Sequence, residues 1–353
     1  MFTQRDISLE EYFNQSYSVE EPESKKQKLD YLYNPPEKSN NTSSGMKAFQ
    51  LHDILKKCPI QFCQYLKLIA SSVTCYCGQP MNLAFRSGMS DGFQWCCKHK
   101  KTHCSTLSIR KGTWFENSRL TIPEILWIAY MWVYQYSYSS IVHETDQTSQ
   151  TLLQWNLCCQ EACKLILESK KNPIGGSDKI VEIFEYIVQD ERKSKKQNDK
   201  KENNKKRKFC ALQHFSTNLI CFTLENAKSD TVCEILDEYI LSGTTVFGNA
   251  WNSFVDLNSV DFEYLTMEKE ITFYDFVTKT EIDTIEKFWE IAKRQSPGSN
   301  VESGRKFYEN FYRKSLFFAP DPFITFLKDI AMIYKPQKET YRKEASKEKH
   351  NAS

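Results

Sequence analysis

Lys179-Ile180-Val181-Glu182-Ile183-Phe184-Glu185-Tyr186-Ile187-Val188 is the stretch on which the fold turns. Coming after Gly175-Gly176, its β-branched and aromatic residues predict a strand over residues 180–188. Two similar runs follow, at residues 209–215 and 219–224. Further on, residues 230–241 read as a helix, 244–247 as a strand, 251–257 as a short helix and 283–294 as a longer one. Between the first two strands, residues 191–208 carry Arg192, Lys193, Lys205, Lys206, Arg207 and Lys208 among other cations, against only Glu191, Asp199 and Glu202. That composition predicts a flexible basic loop, able to follow DNA phosphates with an affinity that falls steeply with salt.

Three strands, a helix, a strand, a helix and then a further strand and helix describe an α/β domain of ribonuclease-H-like order over residues 178–334. The rest of the chain adds α+β modules to it. With 353 residues, 40% apolar and 26% charged, there is enough chain for roughly two domains with real cores. The formal charge of +2 excludes attraction to nucleic acid by the whole-molecule field, so local clusters must supply it. The longest unbroken apolar run, residues 125–134, is about half of what a bilayer-spanning helix needs, so no membrane span is expected.

Upstream, residues 46–72 place Phe49, Leu51, Ile54, Leu55, Phe62, Tyr65, Leu66 and Ile69 at steps of three and four, a helical lead-in split at Pro59. A helix starting near Pro123 is apolar on all sides and reads as deeply buried. Residues 137–146 and 150–170 form two more helical stretches joined at Gln147-Thr148-Ser149, where a hydroxyl can cap the second. Three helices with a tight last turn predict a helix-turn-helix over residues 121–172. Its last helix would present Ser149, Gln150, Thr151, Gln154 and Asn156 to base edges in the major groove.

Thirteen cysteines and a start without an apolar signal core predict reduced thiols in an intracellular protein. Cys75-Tyr76-Cys77-Gly78 and Trp95-Cys96-Cys97 supply two pairs of soft ligands about twenty residues apart, within a Cys-rich segment at residues 73–120. Zinc is the natural occupant of such a ribbon and would contribute folding energy directly. Cys75, Cys77, Cys96 and Cys104 are the preferred set, with Cys97, His99 and His103 as alternates. Cys158, Cys159 and Cys163 share a helix with Leu157 and Leu165 and read as core. Phe307, Tyr308, Phe311, Tyr312, Phe317 and Phe318 read as a further core or a dimer surface.

Residues 1–45 form a polar tail and residues 335–353 a second, basic one, both predicted to be disordered. In the first, Ile7-Ser8-Leu9-Glu10-Glu11-Tyr12-Phe13 spaces its apolar residues as in short peptides that dock on the replication sliding clamp. Ser24-Lys25-Lys26-Gln27-Lys28 reads as a nuclear-import run.

Several motifs resemble one family. Asp91-Gly92-Phe93-Gln94-Trp95-Cys96, followed by Ile109-Arg110-Lys111-Gly112-Thr113-Trp114-Phe115, is similar to the ribbon-to-helix junction of Merlin-type transposases and their ISXO-like insertion-sequence relatives. The stretch around Phe184 resembles that family's first catalytic strand. Ser242-Gly243-Thr244-Thr245-Val246-Phe247-Gly248-Asn249 resembles the second, and Asp283-Thr284-Ile285-Glu286-Lys287-Phe288 the catalytic helix.

The resemblance implies a cut-and-paste enzyme acting on double-stranded DNA, usually as a homodimer in the nucleus. Three acids would hold two Mg²⁺ ions that activate a water or a 3′-hydroxyl for in-line attack on phosphate. In this chain the first acid falls at Phe184, which has no lone pair, and the second at Asn249, which brings no charge. The third matches Glu286, with Lys293 two turns further along. Asp283 stands where bacterial members can carry an Asn ligand, and Glu182 lies about 7 Å from Phe184 on the same strand face. One retained acid does not make a two-metal site. The expectation is therefore a transposase-derived DNA-binding protein, a domesticated or decayed transposon product, that holds structural zinc and does not catalyse strand transfer. An active transposase with a rearranged site, and a scaffold that recruits a partner through its N-terminal tail, are the competing readings.

Overall fold

Cys58 and Pro59 interrupt the first helical stretch, because proline cannot donate to the preceding turn but fits the first turn of a new helix. Helices α1 (Ala48–Lys57) and α2 (Pro59–Tyr65) result, burying Leu51, Leu55, Ile60, Phe62 and Cys63. In the computed structural model the described residues are 45–98, 105–189, 205–214, 216–224, 234, 236–248, 263–266, 273–275, 280–282 and 300–339. The chain divides into two units, one comprising Met1–Met131 with Leu327–Ser353, the other Trp132–Phe326.

In the first unit, strands β1 (Asn82–Phe85), β2 (Phe93–Cys97) and β3 (Ser105–Ser108) form an antiparallel sheet in the order β1-β2-β3. Helix α3 (Ile122–Val133) starts with a reciprocal cap, in which Glu124 accepts from the Thr121 N–H at 2.7 Å. Its Ile122, Ile125, Leu126, Ile128 and Ala129 are all buried, as the all-round apolar sequence predicts. Residues 335–339 return to the sheet region. The Gln337 N–H donates to the Lys111 carbonyl at 2.9 Å, and the Thr74 N–H donates to the Lys338 carbonyl at 2.7 Å. Gly112 permits that approach: its φ is +75°, and a Cβ there would lie 2.7 Å from the Lys335 carbonyl oxygen.

In the second unit, α4 (Tyr138–Thr145) and α5 (Ser149–Ser169) are separated by three residues, with Asp146 left-handed at φ 52°. The Thr148 hydroxyl caps α5 by accepting from the Thr151 N–H at 3.2 Å. Strands β4 (Ile174–Gly175) and β5 (Ile180–Gln189) follow, then β6 (Lys205–Gln213), β7 (Leu219–Leu224), β8 (Ile240–Leu241), β9 (Thr245–Gly248) and β10 (Glu263–Thr266). Five of these make one mixed sheet in the order β10-β9-β5-β6-β7. Its β5–β6 and β6–β7 pairs are antiparallel, whereas β5–β9 and β9–β10 are parallel. Val181, Ile183, Phe209, Ala211, Ile220 and Val246 share one face and build a core with Ile174, Leu236 and Ile240. β4 and β8 pair in parallel, and β11 (Phe273–Asp275) pairs with β12 (Thr280–Ile282). Helices α6 (Asn300–Leu316) and α7 (Pro322–Ile333) complete the order, with Tyr308, Phe311 and Tyr312 buried.

The boundaries read from sequence shift in three places, the first being residues 335–339, read as the start of a disordered tail but held by backbone hydrogen bonds to Thr74 and Lys111. Lys205, Lys206, Arg207 and Lys208 are strand rather than loop, because the ladder with β5 continues through Ile187↔Arg207 to Gln189↔Lys205. The pairing is between backbones and needs no apolar side chains, and Arg207 and Lys208 pair with β7 as well. The stretch read as helix to Leu241 ends instead in β8, where Ile240 and Leu241 pair with β4. The stretches read as helices at residues 251–257 and 283–294 lie outside the described residues.

Candidate functional site

β5 is the central strand of the sheet, and Glu182 on it is buried. One oxygen of its carboxylate, Oε2, is approached by His214 Nε2 at 3.0 Å and accepts from Lys314 Nζ at 3.1 Å. Lys314 comes from α6, and its side chain is as secluded as the carboxylate it meets. A buried carboxylate held this way is an internal ion pair, with its charge answered inside the fold. Phe184, two residues on, pairs with Cys210 in the β5–β6 ladder. Ile183 pairs with Gly248, the residue immediately before Asn249 in sequence. Asn249, Asp283, Glu286 and Lys293 themselves lie outside the described residues.

The cysteine cluster is set by a tight turn. The Gly78 N–H donates to the Cys75 carbonyl and the Cys75 N–H to the Gln79 carbonyl, both at 2.8 Å, with Gly78 at φ +80°. This turn brings two thiols one residue apart to the same side, which resolves the close spacing seen in the sequence. Cys97 of β2 joins them: the sulfurs of Cys75, Cys77 and Cys97 all lie within 4.8 Å of one another, and Cys77 and Cys97 are 3.7 Å apart. Two thiolates on one tetrahedral zinc, at ordinary Zn–S lengths, are about 3.8 Å apart, so the donor set fits that ion.

Cys96, preferred from the sequence, is replaced in this cluster by its neighbour Cys97. Successive residues of a strand face opposite ways, and Cys96 instead accepts a long contact from Arg86 Nη2 at 3.9 Å. His99, His103 and Cys104 lie outside the described residues.

Beside the cluster, a pair that no sequence pattern singled out holds the sheet to α3. Arg110 makes a two-pronged bond to Asp91, with Nη2 donating to Oδ1 at 2.6 Å, and it also donates to the carbonyls of Ser118 and Leu120 at 2.9 and 2.7 Å. Asp91 accepts in addition from the Ile122 N–H at 2.9 Å. Both residues sit in the junction motif quoted above, so the signal was present without its pairing.

Of the residues predicted to read DNA, Gln150 and Gln154 are exposed on α5. Asn156 is committed inward, its Oδ1 accepting from Trp132 Nε1 at 2.9 Å. Thr151 is tied to the cap at Thr148, and the Ser149 carbonyl accepts from the Tyr138 hydroxyl at 3.0 Å. Trp132 also lies under the Arg313 guanidinium, 3.7 Å from its ring centre. Arg313 pairs with Glu309 at 3.0 Å, and Glu309 accepts from Gln160 at 2.8 Å, so a polar chain fixes α5 against α6. Cys159 and Cys163 are buried as predicted, and burial pushes the Cys159 thiol well up.

In comparison with known families, residues 173–318 match the model of the ISXO2-like transposase domain. Over those residues the chain is similar to that family. No curated protein and no solved structure matches the chain. Among the described residues no helix is long and apolar enough to cross a membrane.

Proposed function

We propose that the chain is a transposase-derived protein that holds double-stranded DNA without catalysing strand transfer. The observation that carries this reading is the engagement of Glu182 by Lys314 and His214 on the central strand. A divalent ion at the family's first acidic position would need a free carboxylate oxygen there. Phe184 offers none, and an internal cation already neutralises the carboxylate of Glu182, two residues before it. The strand order and directions of the five-stranded sheet support a ribonuclease-H-like fold, with α4, its turn and α5 as a helix-turn-helix.

DNA is held through the basic run that ends at Lys205, Lys206, Arg207 and Lys208, whose strand continues past the last β7 partner, Leu224. Zinc occupies the Cys75, Cys77 and Cys97 thiolates with Cys104 as fourth ligand, and its contribution there is cross-linking rather than chemistry. Action in the nucleus is supported by the Ser24–Lys28 run.

The test pairs retention with cleavage on the full chain. Duplex DNA should be retained with an affinity falling steeply with salt, and Lys205→Gln with Lys206→Gln should flatten that slope. Incubation with Mg²⁺ or Mn²⁺ should leave the duplex intact. Metal-dependent strand breaks that vanish in Glu286→Ala would overturn the reading.

A further inference from the structure

Among the described cysteines Cys77 alone is exposed, whereas Cys75 and Cys97 are each exposed by only 2%. The cysteine cluster thus meets solvent through one sulfur, and the Cys97 sulfur lies 3.7 Å behind it. Holding a metal does not require an exposed sulfur. Reaction with a dissolved oxidant does, and a second thiol within reach then closes a bridge. The half-buried thiols of Cys58 and Cys158 are pushed up by burial, which keeps them in the less reactive protonated form.

We propose that Cys77 and Cys97 are a redox-responsive pair, which a peroxide converts to a disulfide and so empties the cluster of its metal. The Cys77 thiolate attacks one peroxide oxygen. The O–O bond breaks, hydroxide leaves, and the sulfur, oxidised by two electrons, becomes a sulfenic acid. The Cys97 thiolate then attacks that sulfur, the S–O bond breaks and a second hydroxide leaves. Two thiolates and one peroxide have given one disulfide and two hydroxides.

Geometry selects Cys97 as the partner. A disulfide bond is about 2.0 Å long, a short closure from 3.7 Å that side-chain rotation can supply. A bridge to Cys75 would close a ring over one intervening residue, inside a turn that the Gly78 and Cys75 amide bonds already fix. Cys96 is turned toward Arg86 instead. Once joined, Cys77 and Cys97 withdraw two of the three thiolates, which leaves too few donors for a structural zinc. A dithiol reductant reverses the bond by exchange and restores the ligands. Loss of the metal rests on zinc being bound at this cluster; formation of the disulfide does not.

Titration of the zinc-loaded full chain with hydrogen peroxide tests this. One equivalent should lower the intact mass by two hydrogens against the reduced chain, link the Cys77 and Cys97 peptides in a non-reducing digest, and release one zinc to a chromogenic chelator. Dithiothreitol with added zinc should restore the starting state. Cys77→Ser should abolish the bridge, and Cys96→Ser should leave it unchanged. In Cys97→Ser the reaction should stop at the Cys77 sulfenic acid, which dimedone traps. Cys75→Ser, deprived of a zinc ligand, should still form the bridge. A wild-type chain that forms the bridge but carries no zinc would sink the metal assignment and leave the redox pair standing. A bridge from Cys77 to any other cysteine overturns the proposal. So does sulfinic acid at Cys77 with Cys97 still reduced, or no bridge even in excess peroxide.

Discussion

Lys314 and Glu182 meet 3.1 Å apart across the α6–β5 contact, both almost wholly removed from water. Removing one partner of such a pair strands the other charge in a poorly polarisable interior. Lys314→Met should therefore lower stability by about 3–5 kcal/mol, whereas Lys314→Met with Glu182→Leu should recover most of that loss. Urea unfolding of the three proteins decides it. Equal losses in the single and double variants would mean that packing, not charge, explains the effect.

The Asp91–Arg110 bond is a matter of shape as much as of charge. A lysine at position 110 keeps the charge but cannot make the fork to Asp91 and reach the Ser118 and Leu120 carbonyls together. Arg110→Lys should cost about 2–3 kcal/mol, the loss of bonds to a charged group. Arg86→Lys, at a side chain with only a long sulfur contact, should cost a few tenths at most. Thermal melts of both variants provide the comparison.

Loss of a single thiol from the cysteine cluster should be decisive. Native mass spectrometry of the wild-type chain should show one zinc, lost on treatment with a chelator together with a fall in melting temperature. Cys97→Ser should abolish binding and Cys96→Ser should preserve it, because only the former sulfur lies with Cys75 and Cys77. Cobalt loading should give thiolate charge-transfer absorption in the wild-type and Cys96→Ser chains alone. The reverse pattern for the two cysteines would refute the assignment.

A smaller effect is expected from acid at Glu116. The hydrogen bond from Lys111, with a further one from the Gly112 N–H, holds its carboxyl below the usual carboxylate range, against an opposing effect of partial burial. The folded state thus binds the proton more weakly than the unfolded chain does. The resulting stabilisation is complete above the ordinary carboxylate range and fades as pH falls through the lowered folded value. Because the site is open to solvent, Glu116→Gln should cost only a few tenths of a kcal/mol at neutral pH and nothing in acid. Chemical denaturation across pH 2–7 would reveal the convergence.

Much of the sheet was legible because a central strand has to be apolar. Val181 and Ile183 face the core and announce β5, and the same logic found Leu219–Leu224 to the residue. Lys205–Lys208 escaped that logic, since backbone pairing with β5, and at Arg207 and Lys208 with β7 as well, needs no apolar side chain. Spacing alone does not separate Cys97 from Cys96 for a related reason: which of two adjacent strand cysteines faces a turn depends on register, and register is fixed by pairs such as Cys97↔Ser105. The inward turn of Asn156 could not be read either, because its partner Trp132 lies 24 positions away on another helix.

Residues 335–339 close against Thr74 and Lys111, although more than two hundred residues separate the two sides in sequence. A nascent chain emerging from the ribosome thus makes its cysteine turn early and its clasp on that turn late. Throughout synthesis of the intervening unit, the edge at Thr74 has its local bridge to Pro80 but waits with its pairing to residues 338–339 unmade. Premature termination anywhere before Lys338 would leave that edge permanently open, however well the five-stranded sheet had formed.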